Sequence, residues 1–123
     1  MALQPCLRDA RPEHLLFTGD RVTGLVDFGA MAIESVAADL SRLLADWVDG
    51  ERPARADALD AYSAVRSLDD AESDLLRVFE DSADLLGGGH WVRWHFVEGR
   101  VFNDPEAVLK GLERGADRAA RLS

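Results

Sequence analysis

Two short apolar runs dominate the start of the chain, His14-Leu15-Leu16-Phe17 and Arg21-Val22-Thr23-Gly24-Leu25-Val26. Both are rich in β formers, and Thr18-Gly19-Asp20 between them is tight-turn chemistry, which predicts a β-hairpin. Upstream, Gln4-Pro5-Cys6-Leu7 adds a short piece of strand that Pro5 keeps out of the centre of any sheet. Near residue 34 the period changes. Val36, Leu40, Leu43, Leu44 and Trp47 recur at helical spacing and predict a helix ending at Gly50. Pro53 suits the first turn of a second helix carrying Leu59, Tyr62 and Val65. Asp69 with Glu72 three residues on forms a capping box for a third, with Leu75, Leu76, Phe79, Ala83 and Leu86 inward. Gly87-Gly88-Gly89 breaks or bends it, and Trp91, Trp94 and His95 lie on one side of a fourth. Asp104-Pro105 caps a last helix striped by Val108, Leu109 and Leu112, whose polar end from Glu113 onward is expected to fray. The expected fold class is α+β and mainly helical, a short hairpin followed by about five helices.

The length of 123 residues allows one domain with a core of its own. A net charge of −9 argues against a nucleic-acid backbone as partner. It suits a cationic small molecule, and it equally describes acidic, solvated helix faces. No apolar run approaches the roughly 20 residues of a membrane span, so no membrane partner is expected. The first residues lack the basic start and apolar stretch of a signal peptide. A single cysteine, Cys6, permits no internal disulfide and fits a reducing, cytoplasmic setting.

The chemistry lies around the hairpin. Asp9 precedes it in Leu7-Arg8-Asp9-Ala10-Arg11-Pro12-Glu13-His14, and Asp27 closes it in Gly24-Leu25-Val26-Asp27-Phe28-Gly29. A plain hairpin needs no acids at these two points. The order of loop aspartate, a potential metal ligand five positions later, hairpin and Asp-Phe-Gly resembles the catalytic end of the kinase-like fold. It is most similar to the aminoglycoside phosphotransferase and choline kinase family. There a loop such as His-Gly-Asp-Leu-His-Pro-Gly-Asn is followed by "LLF", a turn and "V-x-G-hydrophobic-Asp-Phe-Gly". "AADLSRLL" (Ala37–Leu44) resembles that family's next helix, with its internal aspartate at Asp39. The likeness is specific over residues 3–47 and beyond them is only helical.

The resemblance implies an ATP-dependent transfer of the γ-phosphate to a hydroxyl of a small, and in some members cationic, molecule. It assigns Asp9 to the acceptor hydroxyl and Asp27 to Mg²⁺ on the nucleotide phosphates. His14 takes the place of the asparagine that gives the metal its second ligand. An imidazole matches Mn²⁺ better than Mg²⁺, which prefers oxygen. Leu7 replaces the loop histidine, a largely architectural residue. Asp39 is expected to hold the loop backbone by hydrogen bonds. Arg8 pairs with Asp9 or a phosphate, or is simply solvated.

Other residues have plainer readings. His90 and His95 are too few and wrongly spaced for a zinc site, and with Trp91 and Trp94 they read as helix packing. Cys6 reads as a buried structural thiol. Asp46, Asp49 and Glu51 lie where the family faces cationic substrates, though a solvated helix end accounts for them. The chain has one lysine, Lys110, in the last helix, and its glycine triplet follows no strand. The glycine-rich loop and strand lysine of a kinase are therefore not found in it. Residues 1–123 read as a single partial domain, the C-terminal lobe, with the loop, hairpin and Asp-Phe-Gly unit in 1–34 and helices in 35–123. Three accounts stay open: part of a phosphotransferase, one polypeptide of a split enzyme, or a non-catalytic binding module. Hairpin side chains and the Leu40–Leu44–Trp47 face then need cover. Self-association or a separate N-lobe-like polypeptide is expected to supply it.

Overall fold

The structure, a computed structural model, describes residues 2–48 and 51–122. The chain begins with β1 (Leu3–Cys6), a 3-10 turn at Pro12–His14, β2 (Leu15–Thr18), β3 (Arg21–Leu25) and β4 (Ala32–Ser35). Helices α1 (Val36–Trp47), α2 (Arg52–Ser63) and α3 (Asp70–Val92), a π-helical turn at Arg93–Val97, and α4 (Pro105–Leu122) follow. The class is α+β and mainly helical, as the hydrophobic pattern predicts.

Gly19, at a left-handed φ of 59°, and Asp20 form the two-residue turn between β2 and β3. Thr18 pairs with Arg21 and Phe17 with Val22, but Leu16 pairs with Gly24, so Thr23 is an extra residue on β3. This bulge is held locally, the Thr23 hydroxyl lying 3.1 Å from that of Thr18 and donating to the Leu16 carbonyl at 3.4 Å. The ladder runs one step past the strand ends, where Val26 N–H donates to His14 C=O at 3.0 Å. That bond brings His14 and the segment leading to Asp27 to the open end of the hairpin. The β1–β4 ribbon pairs Leu3 with Ser35 and Cys6 with Ala32. Pro5 sits opposite Ile33 there, in a two-stranded ribbon that tolerates a residue lacking an N–H.

The chain divides into two compact units, Met1–Phe79 and Glu80–Ser123. In the first, the buried Ser35 caps α1 by accepting from Ala37 N–H at 3.3 Å. Val36, Ala37, Leu40 and Leu44 of α1 pack with Leu76 of α3, flanked by Leu59 and Tyr62 of α2 and Leu75 and Phe79 of α3. The Leu40–Leu44 stripe is thus covered within the unit. Trp47 stays half exposed, its ring 6.4 Å from that of Phe17. The capping box forms as expected: Glu72 N–H donates to Asp69 Oδ1 at 2.7 Å and Asp69 N–H to Glu72 Oε2 at 3.1 Å. Glu72 is 2% exposed, and Arg66 grips its carboxylate through both terminal nitrogens, at 2.7 and 3.1 Å.

Several expectations are corrected. Val65 lies beyond α2 and is exposed, and Ala83 and Leu86 face solvent. The glycine triplet does not break α3, which runs on to Val92, so the expected third and fourth helices are one continuous stretch. Glycine costs a helix about 1 kcal/mol each and does not block it. The stop comes at Gly99, in the left-handed region, where Arg100 N–H reaches Trp94 C=O at 2.9 Å. Asp104 caps α4 through Glu106 and Ala107 N–H, and the helix runs to Leu122. Trp91 lies flat where a Cβ on Gly111 would stand, a close approach that only glycine permits. α1 ends at Trp47, and the Gly50 stop expected for it lies outside the described residues.

The buried Glu72 sets a pH dependence. Its hydrogen bond to Arg66 holds the carboxyl below its ordinary range. The unfolded chain therefore binds that proton more readily than the folded one, and the stability present at neutral pH is lost as pH falls through the acidic range. Thermal melts from about pH 6 down to about pH 3 are expected to show a falling Tm, with a smaller fall in Glu72→Gln. An equal fall in both proteins would remove Glu72 as a source.

Candidate functional site

The loop after β1 is shaped from outside itself. Asp39, in the first turn of α1, accepts Leu7 N–H on Oδ2 and Arg8 N–H on Oδ1, both at 2.7 Å. Charge-assisted bonds of this length are the strong ones. They hold Arg8 at a φ of 61°, a left-handed conformation a side-chain-bearing residue seldom adopts. The sharp turn there sends Ala10 into the interior and leaves the Asp9 carboxylate at the surface of the loop, about a quarter exposed at 28%.

Asp9 is surrounded by cations. Arg11 Nε donates to its Oδ1 at 2.7 Å, and Arg42 Nε of α1 lies 3.5 Å from the same oxygen. The Arg11 hydrogen bond is the main cause holding the Asp9 carboxyl below its usual range, and the charges of Arg11, Arg42 and His14 act in the same direction. Arg11 is correspondingly held above its ordinary value by Asp9.

His14 sits largely buried behind this loop. Its N–H donates to Arg11 C=O at 3.1 Å, and its Nδ1 is 2.8 Å from Asp9 C=O. A carbonyl can only accept, so Nδ1 carries a hydrogen, and in the neutral form of the ring Nε2 holds the lone pair. That Nε2 is 3.7 Å from Asp27 Oδ2. A lone pair facing a carboxylate is not an attractive arrangement unless a proton or cation lies between them. Asp27 has a φ of 65° and is well exposed, and its Oδ1 accepts Gly29 N–H at 3.4 Å. Asp9, His14 and Asp27 each offer a ligand atom, all within 4.8 Å of one another. The structure thus brings together the three residues singled out in the sequence.

The remaining candidates stand apart from this cluster. Cys6 is buried, its thiol donating to Glu34 C=O at 3.4 Å. Burial pushes its pKa up, helped by the charges of Asp39 and Glu34, the setting of a structural thiol. Asp46 and Glu51 are exposed, and Asp49 lies outside the described residues. His90 stacks on Trp94 at 5.7 Å and His95 meets Phe96 edge-on at 4.7 Å. Trp91 and Trp94 pack edge to face at 5.6 Å. Lys110 is exposed on α4 in the second unit. Arg11 and Arg42 are the participants that the sequence reading missed. Arg42 had a signal, since it follows Asp39 by three positions and so shares its helix face.

In comparisons with known proteins, residues 1–77 match the phosphotransferase enzyme family. No curated protein and no solved structure matches the chain. The matched span contains the loop, the hairpin, Asp27, Asp39 and the core of the first unit.

Asp39→Ala removes both acceptors from the strained loop. Urea denaturation of the full chain is expected to show a loss of about 2 kcal/mol, with amide NMR shifts concentrated at Leu7, Arg8 and Asp9. Unchanged stability would mean that the loop holds its own shape.

Proposed function

The chain belongs to the phosphotransferase enzyme family, and from that premise we propose that it carries the catalytic end of an ATP-dependent small-molecule kinase, its C-terminal lobe. The observation that carries the reading is the convergence of Asp9, His14 and Asp27 within 4.8 Å, set up by the grip of Asp39 on the loop. The residues fit a divalent cation. In its neutral form His14 offers Nε2 as a ligand, with the ring fixed by its bond to Asp9 C=O, a support typical of metal-bound imidazoles, and Asp27 offers an exposed carboxylate beside it. When bound there, a cation would neutralise the phosphate oxygens of ATP during transfer.

Asp9 has a different task. Its two arginine neighbours make it a weak base. Phosphoryl transfer through a loose transition state asks more for orientation than for early proton removal. Asp9 is therefore read as the group that accepts a hydrogen bond from the acceptor hydroxyl and aims its oxygen. The acceptor is a small hydroxyl compound, with a cationic one favoured by the acidic chain.

The glycine-rich and lysine-bearing part that covers ATP is read as belonging to polypeptide outside this sequence. Leu16, Phe17, Val22, Val26 and Phe28 around the hairpin are exposed, an apolar surface of the kind that marks an interface. The reducing setting implied by the buried free Cys6 points to the cytoplasm.

Two experiments test this reading. Mn²⁺ added to the chain is expected to broaden the NMR signals of His14 and Asp27 selectively, and Asp27→Ala to abolish the effect. His14→Asn is expected to narrow the preference for Mn²⁺ over Mg²⁺ by about tenfold. Broadening spread over the acidic surface would count against the site. Light scattering of the isolated chain is expected to show self-association that Phe17→Ser weakens. A monodisperse monomer with a concentration-independent melt would show that the hairpin face needs no cover.

A further inference from the structure

The second unit holds a feature unrelated to the phosphotransferase motifs. The π-helical turn at Arg93–Val97 widens the end of a long helical stretch, and Gly99 then turns the chain sharply before α4 begins. The space left over is a cavity of about 540 Å³, within the range of small-molecule sites. Its apolar wall is Val101, Phe102, Pro105, Val108, Leu109 and Leu112, and its charged or titratable lining is Arg100 and His95.

No carboxylate lines it, although the whole chain carries a net charge of −9. Two acids close to it in the chain are engaged. Asp104 caps α4. Glu98 accepts Arg93 Nε on Oε1 and Arg100 Nε on Oε2, both at 2.8 Å. Two guanidiniums thus share one carboxylate, so Glu98 alone does not match both of them. The Arg100 guanidinium is also seated over the Trp94 ring at 5.3 Å, which fixes its plane. With Nε committed to Glu98, its terminal nitrogens remain as a fork suited to a carboxylate.

We propose that this cavity binds a small amphipathic monocarboxylate, its apolar body against Val101, Phe102, Val108, Leu109 and Leu112 and its carboxylate on Arg100. The site is independent of the phosphotransferase reading. An apolar wall alone would take any greasy molecule, and the Arg100 guanidinium at one edge favours the anion.

Amide NMR of the full chain, titrated with decanoate below its micelle concentration and separately with decanol, tests this. Saturable shifts are expected at Gly99, Val101 and Leu109 with decanoate, and weaker ones with decanol. Arg100→Gln is expected to weaken decanoate by about threefold to fivefold, the worth of one exposed ion pair, and to leave decanol unchanged. Leu109→Glu is expected to abolish both. Arg100 and Leu109 are exposed, so both variants should keep the wild-type melting curve, which is measured alongside. Absence of saturable shifts, shifts located elsewhere, equal binding of acid and alcohol, or an Arg100→Gln variant that binds decanoate like the wild type would each overturn the proposal.

Discussion

Two hydrogen bonds accepted by one carboxylate organise the first unit. Asp39 is placed by α1, and α1 is placed by the Ser35 cap and by the core around Leu40, Leu44 and Leu76. The backbone of Leu7 and Arg8 is tied to that helix at 2.7 Å. Everything chemical follows from this tie. Arg8 turns left-handed, Asp9 emerges, and the Asp9 carbonyl becomes the acceptor that orients His14. The hairpin contributes from the other side, since the Val26–His14 bond leads straight into Asp27. A side-chain cluster spread over nineteen positions, from Asp9 to Asp27, is thus held from outside by Asp39.

The electrostatics divide the acids by role. Asp9 is bracketed by Arg11 and Arg42 and stays ionised well into acid. Asp27 faces an imidazole nitrogen and solvent. Two carboxylates in one small cluster would repel each other in a drier place. Here one is paired with guanidiniums and the other is left exposed to solvent. Asp39 is satisfied by backbone amides.

Much of this was legible in the sequence because it is local. The hairpin turn, the α1 stripe and the Asp69–Glu72 box are each written in a few adjacent residues, and all three form. What could not be read depends on distant partners. β4 is four residues long and exists because β1 pairs with it from nearly thirty positions away, as Cys6 does with Ala32. The π-turn and the unbroken passage through Gly87–Gly89 were hidden because glycine weakens a helix without forbidding it. Asp9, His14 and Asp27 were found through the motif, whereas Arg11 and Arg42 needed the fold to show which oxygen they approach. One wall of the apolar cavity, Val108, Leu109 and Leu112, was written as a helical stripe, whereas the turn at Gly99 on its other side was not.

The left-handed backbone at Arg8 has a consequence for how such a protein can change over time. A side chain at a φ of 61° costs on the order of 1 kcal/mol that glycine would not incur. Glycine would relieve that strain, and it is the residue that the resembling His-Gly-Asp loop carries at this point. The arginine keeps the strain in the turn that presents the Asp9 carboxylate, where the two bonds to Asp39 offset it. The left-handed turn is therefore held from outside and does not depend on the residue that adopts it, and a library selected for heat resistance would be the place to see glycine return.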